Sequence, residues 1–327
     1  MATTLFGKDI LRADQFTLDE IELIMDTAAR FEGVMRAGGR LLNMAGKVLA
    51  TLFYEPSTRT RLSFETAMLQ LGGQVISVAE AKTSSSAAKG ETLFDTGKMI
   101  EGYAHVAVIR HPVVGSAAEL AAGACVPVIN GGDGAGQHPT QALLDLYTIR
   151  KEKGPFDPST SSGQAGLGRD RVKGLTVALA GDLKNGRTVH SLSALLATQG
   201  VRFYFVAPAA LAMPAEITAG LRGRGVEIVE TADLTEAAAH SDVLYMTRIQ
   251  RERFADPAEY ERLKGLYVVD MALVRRARPG ITIMHPLPRV DEIATEVDAY
   301  AGAAYFRQAA NGVPVRMTLM ALVTGQE

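Results

Sequence analysis

Glu55-Pro56-Ser57-Thr58-Arg59-Thr60-Arg61 gathers three hydroxyls and two guanidinium groups into one short polar stretch. It follows Lys47-Val48-Leu49-Ala50-Thr51-Leu52-Phe53-Tyr54, an apolar run of strand-favouring residues, and leads into Leu62-Ser63-Phe64-Glu65-Thr66-Ala67-Met68, which reads as a helix. The polar residues therefore stand on a strand-to-helix turn. There the unpaired N–H groups of the first helical turn point outward with the positive end of the helix dipole. Ser57, Thr58 and Thr60 add hydroxyl donors and Arg59 a planar cationic fork, which together make a phosphate cradle. The plainer alternative is an N-cap, in which Ser or Thr satisfies only the helix's own amides.

Similar groups follow the other apolar runs. They are the loop from Ser85 to Lys89, then Arg110-His111-Pro112, then the glycine-rich stretch that ends in His138-Pro139-Thr140-Gln141. Further along come Asp182-Leu183-Lys184-Asn185-Gly186-Arg187, Thr247-Arg248-Ile249-Gln250 and His285-Pro286-Leu287-Pro288. In open parallel sheets ligands bind beyond the carboxyl ends of the strands, so these groups are expected on one edge of each sheet, facing a cleft between two domains. Arg59, Arg110, Arg187 and Arg248 with one imidazole, His138, call for substrates carrying several negative charges, because Arg matches phosphate and carboxylate bidentately. Taken singly each has a duller reading: Arg110 as a strand-end surface charge, His138 as a cap with Pro139 in the first helical position, Arg187 and Arg248 as partners of surface acids, Lys89 as part of a solvated connector. Their common placement is what favours a site.

The elements that must position them alternate. Strands are expected at 47–54, 74–78, 105–110 and 126–130, with helices at 60–71, 90–103, 116–123 and 139–152. An amphipathic helix opened by the capping box Thr17-Leu18-Asp19-Glu20 precedes them. A second series runs through strands 174–180, 202–207, 226–230, 242–246, 266–270 and 281–284, with helices 187–199, 214–223, 234–240 and 256–263, and closing helices at 291–303 and 312–324. This is the pattern of an α/β protein with two doubly wound domains, each a parallel sheet flanked by helices. Residues 154–170, rich in Gly, Ser and Pro, read as a flexible insertion, so the domains are expected at 1–152 with about 304–327, and at 153–303.

A chain of 327 residues fits two domains on a prior of ~150 residues each. A formal net charge of −2 gives no footprint for nucleic acid or an anionic membrane. No stretch approaches the ~20 apolar residues of a membrane span, and a cytoplasmic protein is expected. The single cysteine, Cys125, allows no intrachain disulfide and reads as a buried small apolar residue. Metal-ligand spacing, Ser-His-Asp order and a carboxylate dyad are absent. Ala180-Gly181-Asp182-Leu183-Lys184-Asn185-Gly186 lacks dinucleotide-binding spacing, and Gly-Lys-Ser or Gly-Lys-Thr never occurs, so no cofactor is expected.

In these motifs, and in Lys89-Gly90-Glu91-Thr92, Gly186-Arg187-Thr188-Val189-His190-Ser191-Leu192 and His285-Pro286-Leu287-Pro288-Arg289-Val290-Asp291-Glu292-Ile293, the chain resembles the aspartate/ornithine carbamoyltransferase family. It resembles the aspartate branch, since the Ser-Met-Gly and His-Cys-Leu-Pro motifs typical of the ornithine enzymes are missing. The resemblance implies that Ser57, Thr58, Arg59, Thr60 and Arg110 hold the phosphate of carbamoyl phosphate. It puts Thr60, Arg110 and His138 on the carbonyl oxygen, and Gln141 with the backbone carbonyls of Pro286 and Leu287 on the carbamoyl NH₂. Arg187, Arg248 and Gln250 would hold the carboxylates of L-aspartate. Ser85 and Lys89 would come from the adjacent subunit of a homotrimer, to which a regulatory chain or a higher assembly could be added. Three features depart from the family pattern: the length of 154–170, Asn185 in place of a frequent aromatic residue, and Ala88 where a second lysine can occur. The alternatives are a carbamoyltransferase for another amino acid and a non-catalytic binder of phosphate and dicarboxylates.

Overall fold

Short β-branched runs separated by amphipathic segments fold here into parallel sheets covered by helices. A computed structural model describes residues 4–79, 81, 90–154, 171–250 and 256–327. Within these, the chain divides into two units: residues 4–147 with 311–327, and 148–154 with 171–310.

The first unit is built on strands β1 (Val48–Phe53), β2 (Gln74–Ala79), β3 (Val106–His111) and β4 (Val128–Asp133), all parallel, in the order β2-β1-β3-β4. Apart from Val48 at its start, β1 is buried along its length, as a strand covered on both faces must be, whereas the edge strand β2 leaves Ile76 exposed. The helices are α1 (Leu18–Arg36), α2 (Thr58–Gln70), α3 (Leu93–Ile100), α4 (Ser116–Gly123) and α5 (Pro139–Lys153). The capping box forms as expected, with Thr17 and Glu20 satisfying each other's backbone N–H. Helices α3 and α4 approach backbone to backbone. A Cβ on Gly123 would lie 2.1 Å from the carbonyl oxygen of Phe94, and one on Gly97 2.5 Å from that of Leu120.

The second unit has five parallel strands, β5 (Thr176–Ala180), β6 (Arg202–Val206), β7 (Ile228–Thr231), β8 (Val243–Met246) and β9 (Thr282–Met284), in the order β7-β6-β5-β8-β9. Its helices are α6 (Arg187–Leu196), α7 (Ala215–Gly223), α8 (Leu234–His240), α9 (Pro257–Leu263) and α10 (Met271–Arg276). The last helix of the chain, α11, is Tyr305–Thr324. In each sheet the order reverses at the first strand, the doubly wound arrangement that the alternation implied.

Four expectations are corrected. Residues 266–270 alternate as a strand should, with Tyr267 and Val269 buried and Leu266 and Val268 exposed, but Val269 makes only a single bridge, to Ile293. The expected helix at 291–303 gives way to that bridge and a short 3₁₀ turn at Thr295–Ala299, because the N–H of Ala294 donates to the carbonyl of Val269. The terminal helix begins at Tyr305 rather than 312 and includes Pro314 in its interior. Cys125 is exposed, on the loop before β4, where its N–H donates to Glu101 and the carboxylate holds the thiol pKa up. Residues 155–170 lie outside the described residues, as does the expectation attached to them.

The glycine contact between α3 and α4 leaves no room for a methyl group. Gly123→Ala is expected to destabilise the chain by about 1–3 kcal/mol, read as a lower urea midpoint; an unchanged midpoint would show that the helices separate freely.

Candidate active site

In the first unit the parallel register brings the polar groups to one edge. Arg110 pairs with Phe53 at the end of β1, and its carbonyl accepts the N–H of Tyr54, so the side chain stands beside the turn that opens α2. Arg110 is mostly buried, with Nε 3.1 Å from a carboxylate oxygen of Glu55 and Nη1 donating to the carbonyl of Gly131 at 3.3 Å. The ion pair and that hydrogen bond hold the side chain at this edge. Ser57 occupies the N-cap position of α2 but makes no side-chain capping hydrogen bond, and the first turn carries no acidic residue. The hydroxyl is therefore not spent on capping the helix. Thr58 and Arg59 are exposed and Thr60 is buried.

Asp133, nearly buried, organises the loop that follows. One carboxylate oxygen accepts from Asn130 Nδ2 at 3.1 Å and from the N–H of Gln137 at 2.7 Å, the other from the N–H of Gly115 at 2.8 Å. The loop delivers His138, 3% exposed, to the N-terminus of α5, where its carbonyl receives the N–H groups of Gln141 and Ala142. Gln141 donates its amide nitrogen to Asp145 at 2.9 Å, which orients the amide and leaves its oxygen as an acceptor.

In the second unit the corresponding edge is organised by Asp182, fully buried at the end of β5. Its carboxylate accepts the N–H and the side-chain amide of Asn185, and the N–H of Gln250. Its own N–H donates to Thr247 Oγ1 at 3.0 Å. One buried carboxylate thus ties the loop carrying Arg187, first residue of α6, to the loop carrying Arg248 and Gln250. Burial raises the pKa of Asp182, opposed by those hydrogen bonds. The close pairing requires Gly181, whose φ is 110° and whose Cβ would lie 2.4 Å from the carbonyl oxygen of Thr247. Beyond β9, Pro286 and Leu287 follow His285, and Leu287 has a φ of 56°, a conformation costing a non-glycine residue about 1–3 kcal/mol.

The sequence-expected residues thus fall into two sets. Ser57, Thr58, Arg59, Thr60, Arg110, His138 and Gln141 share the carboxyl edge of the first sheet; Arg187, Arg248, Gln250, Pro286 and Leu287 share that of the second. Ser85 and Lys89 lie outside the described residues. Glu55, Asp133, Asp182, His285 and Glu292 received no individual role from the sequence. The only signal for Asp133 and Asp182 is an aspartate beside glycine at a strand end.

Both halves of the chain match models of one family: residues 8–151 the aspartate/ornithine carbamoyltransferase carbamoyl-P binding domain, and 173–323 the Asp/Orn binding domain. The chain belongs to the aspartate/ornithine carbamoyltransferase family. Within it, the chain is 50% identical over 319 residues to the aspartate carbamoyltransferase catalytic subunit of Thermococcus kodakarensis, covering 98% of this chain and 97% of that one. It is 48% identical over 322 residues to that of Chromobacterium violaceum, at 98% and 99% coverage. Among solved structures it is similar to the Trypanosoma cruzi aspartate transcarbamoylase in complex with carbamoyl phosphate and aspartate, with a TM-score of 0.88, 40% identity, and 98% and 97% of the two chains covered.

The carboxyl of Glu292 tests the electrostatics of the second edge. Burial alone would raise its pKa, but the His285 ring 2.7 Å away and backbone N–H donors outweigh burial and hold it at about 2, below an ordinary 4.5. The stability this contributes is fully present above pH 4.5 and is lost as the pH falls toward 2. Glu292→Gln is therefore expected to lower the urea midpoint most at neutral pH, with the gap to the parent closing through that acid window; a constant gap would contradict the assignment.

Proposed function

We propose that this chain transfers the carbamoyl group of carbamoyl phosphate to the amine of L-aspartate, giving N-carbamoyl-L-aspartate and phosphate, an early step of de novo pyrimidine synthesis. The observation that carries the reading is the start of α2, where Ser57 stands at the N-cap with its hydroxyl unspent and Arg110 is held alongside by Glu55.

In this reading Ser57, Thr58, Arg59, Thr60 and Arg110 bind the phosphate, which suits amides at the positive end of a helix dipole. Gln141, its amide nitrogen engaged by Asp145, presents its oxygen to the carbamoyl NH₂, as do the carbonyls of Pro286 and Leu287. Arg187, Arg248 and Gln250, on loops joined through Asp182, hold the two carboxylates of aspartate, with Lys89 and Leu287 contributing. The deprotonated amine attacks the carbonyl carbon and a C–N bond forms. The carbonyl π electrons move to oxygen, and Thr60, Arg110 and His138 donate to that oxyanion. The carbon–oxygen bond to phosphate then breaks, the carbonyl re-forms, and phosphate departs with the amine proton, so no dedicated side-chain base is needed. No step calls for a cofactor, since positioning and preorganised donors supply the barrier reduction.

The chain acts as a homotrimer in this reading, with Ser85 and Lys89 entering a neighbour's site. An apolar surface supports an assembly: the edge strand β2 exposes Ile76, and the adjoining helix exposes Leu62 and Leu69. A cytoplasmic location, and a regulatory chain or a further assembly of trimers, go with the same reading.

Steady-state carbamoyl transfer with L-aspartate and, in parallel, L-ornithine tests it. Turnover is expected with aspartate alone. Arg59→Ala should lower kcat by on the order of 10²–10³-fold, as loss of one oxyanion or phosphate donor does. Arg248→Ala should weaken aspartate by about 1.5–3 kcal/mol, roughly 10- to 150-fold in KM. Turnover with another amine only would overturn the role of Arg248, and binding of carbamoyl phosphate without turnover would overturn catalysis.

A further inference from the structure

The turn beyond β9 holds the one non-glycine residue with positive φ among the described residues, Leu287. An L-residue stays in that conformation only where its surroundings over-determine it, and here the determinant is a side chain two residues back. His285, 1% exposed, accepts the N–H of Leu287 on Nδ1 at 2.8 Å. A ring nitrogen that accepts a hydrogen bond carries a lone pair, so the proton of the neutral ring must sit on Nε2. Nε2 lies 2.7 Å from Glu292 Oε1. Glu292 is 4% exposed, and its other oxygen accepts the N–H groups of Val290 and Asp291, each at 3.1 Å. The backbone N–H of His285 donates to Gln308 of the terminal helix at 2.9 Å.

These contacts run from helix α11 through the imidazole to the 285–292 loop, the Nε2–Oε1 link being a short approach that is not aligned as a hydrogen bond. The N–H of Leu287 on Nδ1 requires the Nε2–H tautomer, the carboxylate 2.7 Å from Nε2 favours the same tautomer electrostatically, and the accepting nitrogen fixes Leu287. A buried pair that only filled space would not need the ring's second nitrogen on the backbone of the residue in the strained conformation.

We propose that His285 and Glu292 are positioning residues, a single-tautomer clamp that aims the backbone carbonyls of Pro286 and Leu287 at the carbamoyl group. Neither touches the reacting atoms. The inference rests on the function proposed above for the role of those two carbonyls, while the clamp itself can be observed without turnover.

The test pairs spectroscopy with kinetics on the full chain. With ¹⁵N-labelled histidine, the resonance of His285 Nδ1 is expected at the position of an unprotonated ring nitrogen and Nε2 at that of a protonated one, throughout the neutral range. In kinetics, Asn at 285 places its amide where Nδ1 stands and can accept the N–H two residues on, as in an Asx turn, whereas Gln, one methylene longer, places its amide where Nε2 stands, toward Glu292 and away from that N–H. His285→Gln and His285→Ala should lower kcat/KM for carbamoyl phosphate by roughly 10²-fold, the loss typical of a small misplacement. His285→Asn should recover most of that loss, and the inhibition constant of inorganic phosphate should stay unchanged in all three. Equal losses in the Asn and Gln variants, a weakened phosphate inhibition that tracks lost stability, or a proton on Nδ1 would overturn the clamp. An unreactive parent chain with the Nε2–H tautomer in place would instead overturn the proposed function and leave the clamp standing.

Discussion

The first N–H groups of a helix have no partner within it, and everything at the first sheet's edge depends on how that constraint is met at Ser57. Most helices close the vacancy with a capping side chain, as Thr17, Thr92, Asp233 and Asp270 do elsewhere in this chain. Helix α2 makes no such bond; α4, α6 and α7 make none either, but their N-cap residues, Gly115, Gly186 and Pro214, have no hydroxyl to give. The amides of α2, its unspent hydroxyl and the adjacent Arg59 keep the positive end of a dipole open to an anion. A parallel sheet then places every other strand end on the same side, so Arg110 and the loop before His138 arrive there without any dedicated element.

Edges built from loops must be held in place, and both units use the same device. Asp133 at the end of β4 and Asp182 at the end of β5 are buried carboxylates that gather backbone N–H groups from neighbouring loops. A buried carboxylate is stable only with such donors. At Asp182 burial still dominates, which leaves its pKa raised. The gathered N–H groups set the positions of Arg187, Arg248 and Gln250 more tightly than loop sequence alone would.

Much of this was legible in the residues. The apolar periodicity of 48–53, 106–111 and 176–180 and the polar runs that follow are local properties, and local properties read directly as strands and strand ends. Residues 266–270 and 291–303 misled because one isolated bridge, Val269 to Ile293, satisfies a strand-like segment and takes an N–H that a helix would need. Cys125 misled because composition ranks cysteine as buried, whereas its loop lies at the surface. Asp133, Asp182 and the His285–Glu292 pair bond backbone N–H groups a few residues away, but the long-range partners, Gly115 for Asp133 and Gln250 for Asp182, and the buried approach of His285 to Glu292 are set by the tertiary fold and not by local spacing. Leu287 is the extreme case, since nothing about leucine announces a positive φ.

The open helix start at Ser57 to Thr60 is most directly tested by titrating the ¹⁵N-labelled chain with inorganic phosphate and following backbone amides and arginine side chains. The amides of Thr58, Arg59 and Thr60 should shift together and saturate, in step with the guanidinium resonances of Arg59 and Arg110. Saturable shifts elsewhere, with residues 58–60 unmoved, would contradict the cradle and with it the placement of the carbamoyl donor.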